Sequence, residues 1–337
     1  MENITFNTNS SKPKFQQLID YIINAIEEGS LVRGQRLPSI NSVSDSSGIA
    51  RMTVTKAYDE LREMGLITSH HGKGFYVSST NTRNQMNIFV LFDALTPYKE
   101  VLYESLIATL GNDINVNIFF HHHNLKVFEN LILNNIGVYN FYVIMPHFYQ
   151  DTSSILQGIP REKLLILDID VPKFNDDYAI LYQDFEQNIY LGLIQAESLI
   201  KKYRTFTLVL SSKDFQYTPV GIINGFKKFC AQREISFEII SNLEEEEHLQ
   251  KDHAYLLFRE NDLVRTINWC NKKGWTLGED IGLLSYDDTP IKEILAEGIS
   301  VISNDFALMG ERAAQMILSK EKGRFINECR FIERKSL

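Results

Sequence analysis

Apolar positions in the first eighty residues recur at helical spacing in two stretches. Between Lys14 and Glu28 they fall three or four residues apart, as a helix with one buried face requires, and Gly29 marks the end of that helix. A second stripe of the same kind lies between Arg51 and Met64 and ends before Gly65. The apolar members of the two stripes are Phe15, Leu18, Ile19, Ile22, Ile23 and Ile26, then Val54, Ala57, Tyr58, Leu61 and Met64.

A short polar helix and a hairpin complete this pattern. Residues 39–44 follow Pro38 and predict the short helix, and a turn around Gly48 leads from it into the helix that starts at Arg51. Residues 66–77 contain two β-prone runs around a Gly-Lys-Gly tip, which predicts a hairpin with a cationic turn. Two helices, a tight turn, a third helix with polar groups at its start and a hairpin wing are the geometry that reads a major groove.

The pattern changes at Met86, after a short polar segment. From there short apolar runs alternate with helical stretches, which predicts an α/β region of parallel sheets flanked by helices on both faces. About 250 residues of this texture suit two lobes around a cleft. We therefore predict a winged helix-turn-helix domain at 1–78, a linker at 79–86, and a two-lobed sensing and dimerisation domain at 87–337.

Charge neither supports nor excludes nucleic-acid binding at the level of the whole chain. The 337 residues carry a net charge of −9, but residues 1–80 contain eight Lys and Arg against eight Asp and Glu. The acidic excess therefore belongs to the second region. A neutral domain still binds DNA when its cations share one face, as Arg51, Lys56 and Lys73 do in the predicted head.

Three widely spaced cysteines, Cys230, Cys270 and Cys329, fit reduced thiols better than a disulfide framework or a metal motif. The first residues have no apolar segment typical of a secretory signal, and no apolar run approaches the roughly 18 residues of a membrane helix. We expect a soluble, cytoplasmic protein with no membrane contact.

The head resembles the winged helix-turn-helix of GntR-type transcription regulators. The resemblance rests on four segments in matching order and spacing, at 34–39, 49–54, 61–65 and 71–74. In that family, polar residues around the start of the third helix and at the wing tip contact DNA, although Asn41 and Thr55 replace frequent arginines here. The predicted DNA interface is Arg36, Ser39, Asn41, Arg51, Thr53, Thr55, Lys56, His71, Gly72 and Lys73.

The second region resembles the sugar-sensing domain of LacI-type repressors, which is similar to periplasmic sugar-binding proteins. The segments that carry the resemblance are 183–184, 225–226, 260–262, 282–288, 303–305 and 309–310. A GntR-type head joined to such a sensor is similar to the arabinose-responsive repressors. The resemblance implies a homodimer, and it implies ligand contacts from Tyr98, Lys99, Asp184, Asn261, Asp287 and Asn304.

A polyol suits these residue types, because sugar hydroxyls both donate to and accept from Asp and Asn side chains. Ile222 stands where LacI-type sensors usually have an arginine that clamps the sugar, which favours a ligand with fewer hydroxyls at that point or a modified sugar. For Asp184 and Asp287, capping of a helix or turn is the structural alternative.

Other chemistries find little support in the chain. His121 and His123 share a strand face, but no third metal ligand is placed by spacing, and Asp287 and Asp288 point apart on an extended segment. We therefore predict no enzyme activity, no cofactor and no metal. The leading hypothesis is a regulator, most simply a repressor, that binds operator DNA and releases it when a small carbohydrate binds. The alternatives are an architectural DNA binder whose second domain only dimerises, and an enzyme fused to a GntR-type head.

Overall fold

The computed structural model describes residues 13–70, 72–80, 86–210 and 218–337. The first domain comprises α1 (Lys14–Glu27), α2 (Ile40–Ser47), α3 (Arg51–Glu63), β1 (Ile67–His70) and β2 (Gly74–Val77). The apolar stripes of α1 and α3 pack on each other around Leu18, Ile22, Ala57 and Leu61, all of which are fully buried. β1 and β2 pair antiparallel, with Ile67 opposite Val77. The predicted helices, turn and wing are all present.

The rest of the chain alternates strands and helices. The elements that precede the first passage of the chain from one lobe to the other are β3 (Met86–Phe92), α4 (Pro97–Leu110), β4 (Ile114–Phe120), α5 (Leu125–Asn135), β5 (Phe141–Ile144), α6 (Ser153–Leu156), β6 (Leu164–Asp168) and β7 (Ala179–Tyr182). There follow α7 (Phe185–Gln195), α8 (Glu197–Ile200), β8 (Thr205–Val209), α9 (Val220–Gln232), β9 (Phe237–Ile240), β10 (His253–Leu257), α10 (Glu260–Lys273), β11 (Gly282–Tyr286), α11 (Pro290–Ile294) and β12 (Ser300–Asn304). The last elements are α12 (Phe306–Ser319), β13 (Gly323–Ile326) and β14 (Cys329–Ile332).

These strands form two six-stranded sheets, one in each lobe. The first-lobe sheet has the order β13-β7-β6-β5-β3-β4 and is parallel throughout. The second-lobe sheet has the order β14-β12-β11-β10-β8-β9 and is parallel except for β14, which pairs antiparallel with β12. Both sheets are covered by helices, so most strands are buried on both faces, which explains their continuous apolar runs. The predicted two-lobed α/β architecture is confirmed.

The chain crosses between the lobes three times. The crossings follow β7, β12 and β13, so that α12 and β13 return to the first lobe and β14 ends in the second. Backbone hydrogen bonds tie the crossings together, from Asn327 N to Tyr182 O at 2.8 Å and from Asp305 N to Glu328 O at 3.0 Å. In the described part of the chain, no helix is long and apolar enough to cross a membrane.

Candidate functional site

A cavity of about 590 Å³ lies between the two lobes. Polar residues reach it from the carboxyl ends of parallel strands, where such sheets commonly bind ligands. Asp93 follows β3, His147 lies beyond β5, and Asp168 is the last residue of β6. On the opposite wall Asp287 follows β11.

The first-lobe wall is a network of paired charges. Asp93 accepts a hydrogen bond from Lys99 and lies 3.1 Å from His147 Nδ1. On its other side, His147 Nε2 lies 2.9 Å from Asp168 Oδ2, and Gln183 Nε2 donates to Asp168 Oδ1. All five of these side chains are buried. The histidine thus bridges two carboxylates, and each carboxylate also has a second donor.

The electrostatic surroundings shift the pKa values of two residues in this wall, His147 and Asp93. Burial alone would lower the pKa of His147, but the Asp93 and Asp168 carboxylates outweigh it and raise the pKa to about 9. Burial alone would raise the pKa of Asp93, but His147 and Lys99 outweigh it and lower the pKa well below its usual range. The raised pKa favours the imidazolium form of His147 at neutral pH, in which Nδ1–H faces Asp93 and Nε2–H faces Asp168.

The second-lobe wall has unsatisfied polar atoms. Among the residues that the structure describes, the buried Asp287 Oδ1 and Thr289 Oγ1 have no hydrogen-bond partner. Burial raises the pKa of Asp287, although the Lys292 ammonium pulls it down. Lys292 Nζ donates to the backbone oxygens of Tyr286 at 2.9 Å and Asp287 at 2.5 Å, so the lysine holds the turn. A ligand that donates hydrogen bonds would satisfy this wall.

Four of the six predicted ligand residues line the cavity, namely Tyr98, Lys99, Asn261 and Asp287. Tyr98 packs on Phe306 with ring centroids 4.5 Å apart, and Lys99 is 1% exposed because it pairs with Asp93. Asn261 is exposed near the start of α10. Ile222 also lines the cavity. By the resemblance to LacI-type sensors, this apolar side chain stands where those sensors usually have an arginine.

The other two predicted ligand residues do not line the cavity but belong to the crossings. Asp184 caps α7 and accepts a hydrogen bond from Gln187 N at 3.1 Å. Asn304 is 3% exposed, and its Nδ2 donates to Gln183 Oε1 and, at 3.2 Å, to Tyr286 OH. Asn304 is buried and therefore needs its polar atoms paired, whereas the half-exposed Asp184 is engaged as a helix cap.

Sequence reasoning missed Asp93, His147, Asp168 and Lys292 as cavity residues. A usable signal was present for the first three, because each polar residue closes or soon follows an apolar strand. His123 also lines the cavity, 3.4 Å from Asp93, whereas His121 stacks on Phe148 at 4.6 Å. No group of three or more His, Cys, Asp or Glu side chains in the described residues is arranged to hold a metal ion.

In the head, the described candidate DNA residues fall on two neighbouring elements and the wing. Arg51 is exposed at the start of α3, which has no side-chain cap. Asn41 is exposed on α2, and Ser39 caps that helix by accepting from Ser42 N at 3.1 Å. Gly72, with φ 69°, and the exposed Lys73 form the wing tip. Among the described residues, Arg51 and Lys73 thus present two cations to a phosphate backbone or a base edge.

The remaining candidate DNA-binding residues have more contacts within the head. Arg36 is exposed beside the wing and forms an isolated bridge with Tyr76. Thr53 is half-buried, Thr55 Oγ1 donates to Arg51 O at 3.0 Å, and Lys56 Nζ lies 3.7 Å from the centroid of the Phe15 ring. His71 lies outside the described residues. Met52, at 79% exposure on the same helix, was not among the candidates.

Comparison with known proteins identifies the kind of domain in the head and in the two-lobed region. Residues 14–77 match the gntR family of bacterial regulatory proteins, and residues 197–336 match the periplasmic binding protein-like domain. The chain joins a GntR-type head to a periplasmic-binding-protein-like domain. The predicted resemblances are thereby confirmed for both regions.

Curated relatives match the head. The mannosyl-D-glycerate transport/metabolism system repressor MngR of Escherichia coli is 30% identical over 82 residues, which cover 24% of this chain and 34% of that protein. The transcriptional repressor YtrA of Bacillus subtilis is 32% identical over 75 residues, covering 22% of this chain and 58% of that protein. The chain spans between 14% and 58% of the length of these and the other curated relatives compared.

Solved structures match three quarters or more of the chain. A LacI family transcriptional regulator from Arthrobacter sp. FB24, in complex with lactose, has a TM-score of 0.59 at 15% identity and covers 75% of this chain and 99% of its own. The Lac repressor bound to ONPG has a TM-score of 0.62 at 16% identity and covers 85% of this chain and 90% of its own. At this identity the similarity establishes the fold.

Proposed function

We propose that the chain is a transcription regulator whose affinity for operator DNA is controlled by a small, uncharged carbohydrate bound between the lobes. The observation that carries the proposal is the covalent joining of a winged reading head to an interlobe cavity lined by polar and charged residues. In this proposal, residues 1–78 bind DNA, 79–86 connect, and 87–337 sense and dimerise. Because its target is operator DNA, the protein acts in the cytoplasm and is not an enzyme.

The exposed start of α3 supports the DNA half of the proposal. Arg51 presents a free guanidinium there, and a recognition helix contacts base edges through its first residues. Arg51 reads a guanine in this proposal, Asn41 and Thr53 add contacts, and Lys73 places a charge near a phosphate or in the minor groove. Lys56 contributes less, because its ammonium lies on Phe15.

The charges of the cavity support an uncharged effector. Lys99 pairs with Asp93, and Lys292 donates to two backbone oxygens, so neither ammonium is available to a phosphate or a carboxylate. The Arg259 guanidinium also lines the cavity, together with the Glu260 carboxylate, so these two residues add one charge of each sign. Asp287 Oδ1, in contrast, needs a donor. A sugar hydroxyl supplies that donor without adding a charge. A domain that served only for dimerisation would have no use for this unsatisfied acceptor, which favours a sensor over the architectural alternative.

The proposal also includes the oligomeric state of the protein and the sign of its regulation. A single head makes few base contacts, so tight specificity requires two heads on a near-palindromic site. The relatives named as repressors favour repression that the effector relieves. A strictly monomeric state, free and on DNA, would contradict this part of the proposal.

Two measurements on the full-length protein test the proposed function. Selection from random duplex DNA should yield a near-palindromic operator, and Arg51→Ala should weaken binding to it by about 1–3 kcal/mol while Lys56→Ala changes it less. A thermal-shift screen of neutral sugars, sugar phosphates and sugar acids should show stabilisation by a neutral sugar. Enrichment of no DNA sequence, or stabilisation only by anionic sugars, would contradict the proposal.

A further inference from the structure

The end of the reading helix α3 is held by the first lobe of the sensor. Asn140, just before β5, is 8% exposed, and its Nδ2 donates to the backbone oxygen of Glu63 and, at 3.2 Å, to that of Arg62. Helices leave their last carbonyl groups without partners inside the helix. Here Asn140, at sequence separations of 78 and 77, donates to both carbonyl oxygens, and the Arg62 oxygen also accepts from Gly65 N at 3.0 Å. The head is therefore docked on the sensor as well as connected to it by the chain.

The lobe holds Asn140 firmly. Its Oδ1 accepts from Asn87 N at 2.7 Å, so the same amide joins the start of β3 to the end of α3. The loop that carries Asn140 is organised by the buried Tyr142, whose hydroxyl accepts from Gly137 N at 2.9 Å and donates to Asn135 O at 2.6 Å. A side chain with both ends bonded and a fixed loop beneath it has little freedom.

Two further contacts extend the docking surface. Lys163, before β6, lies 3.6 Å from the Glu63 carboxylate. The position that a Cβ would take at Gly137 lies 3.4 Å from Ser69 Oγ on β1. The head thus rests on the amino-terminal edge of the first-lobe sheet, at the starts of β3, β5 and β6. The cavity lies at the carboxyl ends of the same three strands, roughly 20 Å away at about 3.3 Å per residue.

We propose that Asn140 fixes the angle of α3 relative to the sensor, so that paired sensors present their reading helices at one separation and read operator half-sites at one spacing. This inference rests on the proposed function and deepens it. A head attached only through its connecting segment would reach half-sites at several spacings, since a tether sets an effective concentration and not an orientation. A dimer whose two heads are docked loses one of its two half-site contacts when the spacing between the half-sites changes by half a helical turn.

The test compares operator spacing between the wild type and Asn140→Asp in the full-length protein. Aspartate keeps the oxygen that accepts from Asn87 N but turns a second oxygen toward the two helix carbonyls, so the lobe contact survives and the head contact is lost. The DNA is the selected operator, the same operator with about five base pairs inserted between its halves, and a single half-site. Fluorescence anisotropy gives the affinity for each. Asn135→Asp is the matched control, because that amide donates only to Leu131 O in its own helix.

The insertion should weaken wild-type and Asn135→Asp binding by at least about 30-fold, and Asn140→Asp binding by less than about 3-fold. Affinity for the single half-site should be the same in all three, within about twofold, which shows that the head is folded. Asn140→Ser repeats the comparison if the aspartate variant does not fold. Equal spacing dependence in wild type and Asn140 variants, or a wild type that tolerates the insertion, overturns the inference and leaves the proposed function standing. A wild type that selects no DNA overturns both.

Discussion

The two walls of the interlobe cavity are built on different principles. On the first-lobe wall every charged group described above is paired, with His147 between Asp93 and Asp168. On the second-lobe wall the buried Asp287 Oδ1 has no partner among the described residues, and Lys292 bonds to backbone oxygens. A buried charge that loses its partner costs free energy, whereas an unpaired acceptor gains when a donor arrives. The first wall therefore contributes to the stability of the lobe, and the second is available to the ligand.

The largest expected effect is on stability and comes from the first wall. His147→Ala removes the cation between two buried carboxylates and should lower the free energy of unfolding by about 3–5 kcal/mol. Urea denaturation measures it. His123→Ala is the control, because His123 contacts Asp93 at 3.4 Å and the backbone of His147 but bridges no second carboxylate, so its loss should cost about 1 kcal/mol or less. Equal losses in the two variants would mean that the first wall is not held together by His147.

The second prediction concerns pH. The pKa of His147 lies at about 9 against its ordinary value of 6.5, so the folded state favours the protonated ring. Its contribution to stability is complete below pH 6.5 and is lost as the pH rises through about 9. The loss should approach about 3 kcal/mol. Urea midpoints between about pH 7 and pH 9.5 measure it, and His147→Gln should show a flatter profile. A wild-type profile as flat as that of the variant would contradict the raised pKa.

The third prediction concerns sugar binding by the second-lobe wall. Asp287→Asn should weaken binding of the sugar found in the thermal-shift screen by about 1–3 kcal/mol, because one carboxyl oxygen is replaced by an amide NH2 group that cannot accept a hydrogen bond. The free energy of unfolding should hold or rise, since the buried carboxyl no longer needs to ionise. Isothermal titration and urea denaturation give the two numbers. Operator binding without sugar should persist, while its release by sugar shifts to higher concentration.

Asp184→Asn is the matched control for Asp287→Asn, since asparagine also caps helices and Asp184 lies outside the cavity. Its sugar affinity should equal that of the wild type. Loss of sugar binding in the Asp184 variant and not in the Asp287 variant would reverse the assignment of the two residues.

The smallest expected effect is at Thr289. Thr289→Val removes a hydroxyl that has no partner among the described residues and should weaken sugar binding by about 1 kcal/mol with little change in stability. Thr207→Val gives the opposite combination, because Thr207 Oγ1 donates to Glu238 Oε1 at 2.8 Å away from the cavity. It should lower stability without changing sugar affinity. If Thr289→Val destabilises the fold instead, the second wall is structural as well.

The sequence by itself determined the head and the order of strands and helices. Apolar spacing of three and four residues in α1 and α3 reflects burial on one helix face, which is a local property. Buried parallel strands likewise appear as continuous apolar runs. The resemblance to LacI-type sensors implied the four ligand residues that line the cavity, and of these Asp287 directly follows a strand. Their roles, and those of the DNA residues, stay predictions.

Only the tertiary structure decided which polar residues meet. Asp93, His147 and Asp168 end three different strands, and their pairing depends on the sheet order that places β3, β5 and β6 side by side. Asp184 and Asn304 resembled ligand residues, but Asp184 caps α7 and the buried Asn304 bonds to Tyr286 between the lobe crossings. The docking of α3 on Asn140 had no sequence signal at all. Contacts between residues far apart in sequence depend on the geometry of the folded chain, and neither spacing nor composition records them.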